Sequence, residues 1–358
     1  MKGVPRSALG AHPLPGEGPP RRTKCSAMPR ARPWEETQSV NDLAPARADP
    51  RMGRNDASDA LEEIVLLGQP SLQQHLDFVR DVVVGGENAD LRAVCDEWRR
   101  ANDVYHELEE TEAGIADQAE CLGLDPALEP LAEEVRTDPR FQRGFDALPT
   151  TFGMVELDRL VVYQTQVTRQ FIEATRARLG QHPDKRTLFR LCLPVGQREA
   201  ALEIRRIGSR RYAFSSASTD LRFHEARLLR AAQISGYDSF GPIGGVVGLV
   251  VGFGSNMLNV VRSDTRMVLH NGYHRACAMR ASGITHAPCV IQTVTRRAEL
   301  AVAAAEKVND DAAFYFKAAR PPLLKDFFDP RLSKTLPVRR TRRVVEVSFE
   351  TRVFDVAE

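Results

Sequence analysis

Residues 267–294, reading MVLHNGYHRACAMRASGITHAPCVIQTV, constrain the fold more than any other part of this chain. An apolar run ends at Leu269 or His270, an Asn271-Gly272 turn follows, and Tyr273-His274-Arg275 open a short helix that stops at Gly283, ahead of a second apolar run over 287–294. The spacing predicts strand, turn, helix and strand in one short stretch. Such a turn can direct backbone N–H groups, the positive end of a helix dipole, an imidazole and a guanidinium at a single point, which is what a phosphate group needs. Gly272 permits close backbone approach and positive φ. Asn271 tolerates left-handed geometry and can cap, while His274 and Arg275 can donate to non-bridging phosphate oxygens.

A purely structural reading competes with this one, because in many Asn-Gly turns the histidine caps a helix and the arginine pairs with an acid. His270 and His274 would ligate a metal together only on one helix; the first falls on a strand and the second past a turn, so no metal site is expected. The chain carries no G-x-x-x-x-G-K-[ST] loop, and no G-x-G-x-x-G follows a strand.

Upstream, residues 1–57 hold nine of the 22 prolines, several arginine pairs and little apolar periodicity, the pattern of a disordered leader. From 58 to 149 the period is helical. Leu91, Val94, Trp98, Ala101, Tyr105 and Leu108 form one stripe, and similar spacing over 61–84 and 128–145 predicts a small helical domain. Near Pro149 the period changes, with a strand over 155–163, a helix over 167–179 and short strands at 188–193 and 212–216. Ser218-Thr219-Asp220 reads as the N-cap of a helix running through Glu225 and Leu229.

Residues 240–261 carry no charge, with Gly244, Gly248 and Gly252 at four-residue spacing. Against a membrane helix stand Pro242, six glycines, Ser255, Asn256 and Asn259, which leave an apolar core of only about a dozen residues. A glycine-rich loop feeding a strand at 258–261 is expected instead, hairpin-paired with 266–269 through Ser263-Asp264-Thr265. Helical spacing resumes over 299–307. Irregular chain at 320–330 packs Leu323, Leu324, Phe327 and Phe328 on the body, and a terminal strand alternates over 345–353.

The expected organisation is therefore a leader (1–57), a helical domain (58–149), a mixed domain (150–310) and an extension with a terminal strand (311–358). With 49 basic against 48 acidic residues, the net charge of +1 draws the chain to neither nucleic acid nor membrane as a whole. Local basic stretches remain in the leader and at Arg339, Arg340, Arg342 and Arg343, where the terminal strand suggests edge protection. Six scattered cysteines without C-x-x-C spacing fit a reducing cytoplasm.

The run VLHNGYHRACAMRASGITHAPCVIQ resembles the core motif of the ParB/sulfiredoxin superfamily, in which a strand enters a Gly-x-x-Arg turn, a short helix ends in Gly and a strand opens near Pro. Partition ParB proteins read G-E-R-R at this turn, sulfiredoxins G-C-H-R and the free-serine kinases D-G-H-H-R; here the positions are Asn271-Gly272-Tyr273-His274-Arg275. The likeness is tight over 257–294. It implies an α+β fold in which a helical N-terminal domain precedes a ParB/sulfiredoxin-like domain, and a turn that holds nucleotide phosphates through His274 and Arg275. Three departures restrict the chemistry. Tyr273 stands where sulfiredoxin chemistry needs cysteine, Asn271 replaces the kinases' aspartate, and no DNA-reading helix-turn-helix follows Val294.

Catalysis would need a carboxylate near the phosphates, as base or magnesium ligand. Asp220 and Glu225, with Arg222 between them as a further phosphate contact, are the candidates. The expectation is a cytoplasmic protein binding ATP or CTP with Mg2+, acting as a small-molecule kinase or nucleotide hydrolase. The alternative is a DNA-associated or protein-interaction adaptor with a partner on the helical domain.

Overall fold

The computed structural model describes residues 60–69, 71–196, 201–218, 220–235 and 241–357; the expected leader at 1–57 lies outside them. Strand β1 (Leu61–Leu66) is broken from helix α1 (Leu72–Val82) at Gly68, whose φ of +75° no ordinary side chain favours. Helix α2 (Leu91–Thr111) starts on an Asp90 cap and buries Ala101 and Tyr105 from the expected stripe. A short strand β2 (Cys121–Gly123) precedes α3 (Glu129–Thr137) and α4 (Pro139–Phe145).

The next segment runs through β3 (Thr150–Glu156), β4 (Gln166–Thr168), α5 (Arg169–Leu179) and α6 (Lys185–Cys192). Strands β5 (Glu203–Gly208), β6 (Arg211–Ser216), β7 (Leu221–Leu229) and β8 (Val246–Phe253) follow. Then come β9 (Asn259–Ser263), β10 (Arg266–Asn271), α7 (Tyr273–Ala281) and β11 (His286–Thr293). The chain closes with α8 (Arg297–Ala303), α9 (Glu306–Asp310), α10 (Ala312–Lys317), β12 (Ser333–Val338) and β13 (Arg343–Ser348).

The protein is of mixed α+β class. Its central sheet has the order β10-β9-β11-β3-β2. Strand β11 runs parallel to β9, with Val290 opposite Asn259, and antiparallel to β3, with Cys289 opposite Gly153. Six of the eight β11 residues are buried, as a strand covered on both faces requires. A second sheet, β12-β1-β4, ties residues 61–66 to 333–338 and 166–168. Smaller sheets β13-β6-β5 and β7-β8 complete the sheets among the described residues.

One core cluster takes Leu128, Val135 and Phe145 together with Val155, Val260, Met279, Ile291 and Phe327. Packing therefore runs continuously across 149/150 and 310/311, and residues 58–149 contribute two strands as well as helices. A buried ion pair, Arg320 with Asp326, joined by the Tyr105 hydroxyl, fastens α2 to the 320–328 segment.

Several local expectations change. Residues 221–229 form a strand, not a helix, because eight cross-strand pairs to the valine-rich β8 outweigh the cap signal at Ser218 and Asp220. The glycine-rich stretch expected as a loop is itself β8. Valines at 246, 247, 250 and 251 supply the strand preference, and Gly248 and Gly252 face cross-strand neighbours. The apolar run at 188–193 belongs to α6, capped by Asp184 on the Thr187 N–H (2.8 Å) and burying Phe189 and Cys192. Short apolar runs do not distinguish strand from helix by periodicity alone. The strand expected over 155–163 ends at Glu156; a turn follows and Val161 then bridges to Val268 and Leu323. No helix among the described residues is long and apolar enough to cross a membrane.

Candidate functional site

The site starts from the end of β10. Its register against β9 pairs Leu269 with Val260 and Asn271 with Asn259, so His270 is an extra, bulged residue, and bulges re-aim side chains. The Asn271 side chain then uses both of its functions: Oδ1 accepts the Gly272 N–H (2.8 Å), and Nδ2 donates to the carbonyls of Ser255 (2.9 Å) and Met257 (3.2 Å). An aspartate could not donate those last two bonds. Gly272 sits at φ +100°, with no space for a Cβ against Leu258. The first internal bond of α7 runs from the Ala276 N–H to the Gly272 carbonyl (2.9 Å). The N–H groups of Tyr273, His274 and Arg275 consequently have no hydrogen-bond partner among the described residues.

The three side chains that follow have different duties. Tyr273 is core: its hydroxyl donates to the Leu269 carbonyl (2.7 Å) and accepts the N–H groups of Tyr163 (3.1 Å) and Gln164 (3.3 Å). His274 accepts the Thr168 N–H at Nε2 (3.0 Å) and meets Phe171 edge-on, with centroids 5.4 Å apart. With Nε2 an acceptor, the neutral ring carries its proton on Nδ1, which remains a donor. Burial, and secondarily the neighbouring Arg275, lowers the His274 pKa to about 4. Arg275 commits Nη1 to three carbonyls, those of Leu191 (3.1 Å), Cys192 (3.1 Å) and Asn256 (2.8 Å). Its remaining N–H groups make no bond among the described residues, and burial lowers its pKa. Arg275 thus joins the end of α6 to the loop before β9 and still has donors to offer.

These groups form the floor of a cleft of about 1050 Å³. Guanidinium groups of Arg140, Arg178, Arg222 and Arg275 line it against the carboxylates of Asp138 and Asp220. Asp138 is occupied capping α4 through the Arg140 N–H (2.7 Å). Asp220 forms an ion pair with Arg222 through one carboxylate oxygen, while the other has no hydrogen-bond partner among the described residues. Arg178, in the last turn of α5, makes no hydrogen bond or ion pair among the described residues. The cleft is cationic overall, which suits a polyanion. Phe171, Phe253 and Val302 supply apolar wall.

Of the sequence candidates, Asn271 to Arg275, Asp220 and Arg222 meet at this cleft, whereas Glu225 does not line it. Glu225 is exposed on β7, with its nearest partner Arg227 at 3.8 Å, because the strand geometry carries it past the bulge after Phe223. Asn271 and Tyr273 shape the turn through bonds that occupy their polar atoms. Arg178, Phe171 and His270 also line the cleft and carry no local sequence mark of a binding role. α5 is brought to α7 only by tertiary packing, and a bulge leaves no local sequence signal. No group of three or more His, Cys, Asp or Glu side chains suited to a metal ion occurs among the described residues. No protein-family model, curated protein or solved structure matches this chain.

Proposed function

We propose that the cleft binds the phosphate chain of a nucleoside triphosphate, ATP or CTP, accompanied by Mg2+, and that the protein acts in the cytoplasm as a nucleotide hydrolase or small-molecule kinase. The observation that carries this reading is the set of three N–H groups at the start of α7 that have no partner among the described residues, on the floor of a cleft with more guanidinium than carboxylate in its walls. The resemblance of residues 257–294 to the ParB/sulfiredoxin superfamily supports it independently. His274 contributes Nδ1–H, Arg275 and Arg178 contribute guanidinium donors, and the Asp220 oxygen that has no partner among the described residues is available to magnesium. Phe171 and Phe253 offer the base an apolar surface.

Calorimetric titration of ATP and CTP with Mg2+ tests this. Binding is expected in the wild type, with at least a tenfold loss in the His274→Ala plus Arg275→Ala double variant. Arg275 also holds three carbonyls, so Arg178→Ala, which breaks no bond among the described residues, provides a variant that leaves the fold alone and weakens binding. A wild type that binds neither nucleotide, or variants that bind unchanged, would refute the reading.

A protein-interaction role is the second reading, and one observation favours it. Strand β8 has no charged residue and pairs only with β7 among the described residues, leaving Val247 and Leu228 largely exposed. Uncharged open edges of this kind are templates for strand addition. Association that persists in Val247→Lys, measured by light scattering, would remove it. The DNA-associated variant draws less support, since Arg339 is paired with Glu87 and Arg342 with Glu203.

A further inference from the structure

The bulge at the end of β10 turns His270 into the same cleft as the α7 N-terminus, and the ring differs from its neighbour His274 in one respect. His274 spends Nε2 on the Thr168 N–H, whereas neither ring nitrogen of His270 has a hydrogen-bond partner among the described residues. The structural work at this position is done by the backbone, whose carbonyl accepts the Tyr163 hydroxyl (3.0 Å), so the imidazole is not needed to hold the turn. The ring lies 6.3 Å from that of Tyr163, close to Asp220 and Arg222, and one residue before the Asn271-Gly272 turn. A packing histidine ordinarily has its nitrogens satisfied. This one presents them to the cavity.

We propose that His270 is the catalytic proton acceptor of this cleft, activating a water molecule for hydrolysis of the nucleotide's terminal phosphate. The proposal rests on the nucleotide-binding reading above. In the step, the unprotonated ring nitrogen takes a proton from water as the water oxygen forms a bond to the terminal phosphorus. The bond from that phosphorus to its bridging oxygen breaks, and the electron pair leaves with the nucleoside diphosphate. The products are the diphosphate and inorganic phosphate, and the imidazolium returns its proton to solvent. Asp220 stabilises the imidazolium while it exists. Arg222, on β7, opposes the imidazolium, so the charge of the bound phosphates is needed for the ring to accept the proton. Burial, with Arg222 second, lowers the pKa to about 4 in the free protein, which keeps the ring in its accepting form at neutral pH.

The test measures phosphate release and calorimetric binding side by side on the full chain, with ATP and CTP in separate arms and Mg2+ present. The wild type is expected to release phosphate. His270→Ala is expected to bind nucleotide within about threefold of wild type while kcat falls by roughly 10²- to 10⁴-fold, as loss of a general base does. The acid limb of the wild-type kcat profile should disappear in this variant, and added imidazole should restore part of the rate. His270→Gln, which keeps the volume, should behave the same way. A wild type that binds without turnover, or His270 variants that keep kcat within tenfold, overturns the role of His270 and leaves nucleotide binding standing. Absence of binding in the wild type overturns both.

Discussion

Substitution Gly272→Ala attacks the turn at its most constrained atom. At φ +100° an alanine adopts left-handed backbone, and its Cβ would stand 2.9 Å from Leu258 Cγ, 3.1 Å from Leu258 Cβ and 3.2 Å from Leu258 Cα. The backbone contribution is about 1–2 kcal/mol, and forcing a methyl group into packed surroundings adds about 1–3 kcal/mol. Leu258 is fully buried and its N–H and C=O are bonded to Cys192 and Val290, so its backbone cannot retreat freely. Gly283, at φ +80° with nothing within 4 Å of its would-be Cβ, isolates the first contribution. Urea unfolding should therefore show Gly283→Ala less stable by about 1–2 kcal/mol and Gly272→Ala by about 2–5 kcal/mol. The excess of about 1–3 kcal/mol corresponds to a further Tm lowering of roughly 1–5 °C for a chain of 358 residues. Equal losses at the two glycines would show that Leu258 yields without cost and that the close approach does not define the turn.

Two further outcomes follow from buried groups. Tyr273→Phe removes a hydroxyl that serves one carbonyl and two N–H groups, and should lower stability by about 2–4 kcal/mol in the same assay; a change below about 0.5 kcal/mol would mean that water replaces it. His270 and His274, whose folded pKa values lie near 4 against about 6.5 unfolded, bind fewer protons folded than unfolded. Their contribution is whole above pH 6.5 and declines as pH falls towards 4, by about 3 kcal/mol for each ring. The urea midpoint of wild type should drop between pH 7.5 and 4.5 by more than that of a His270→Gln plus His274→Gln variant. His75, also held down by burial, titrates in both and cancels in the comparison. Parallel profiles would contradict the burial of the two rings.

Legibility from sequence followed how local the determining interactions are. Strand, turn, helix and strand over 266–293 were readable to within about a residue or two, because Asn-Gly, the helix stop at Gly283 and β-branched flanks act over a few residues. The 91–111 helix and the buried Leu323, Leu324 and Phe327 were readable for the same reason. Residues 221–229 were not. Ser218 and Asp220 carry a cap signal, but the strand partner lies in a glycine-rich segment with no sequence mark of its pairing. The 188–193 run failed differently, since strand and helix share its apolar pattern and only the Asp184 cap and the burial of Phe189 decide between them.

The division at the site has the same physical basis. By itself the sequence determined that a glycine in left-handed geometry precedes a helix N-terminus carrying imidazole and guanidinium, because φ preference and helix polarity belong to the residues themselves. Which of those groups is left over for a ligand was decided only by the tertiary structure. Tyr273 and Asn271 are consumed by carbonyls and N–H groups distant in sequence, Nη1 of Arg275 by three carbonyls, and Nε2 of His274 by Thr168. A one-residue bulge frees His270, and packing of α5 on α7 delivers Arg178. Hydrogen-bond valence is spent across the whole fold, so the donors and acceptors that remain at one cleft follow from every contact around it and from no local stretch of the chain.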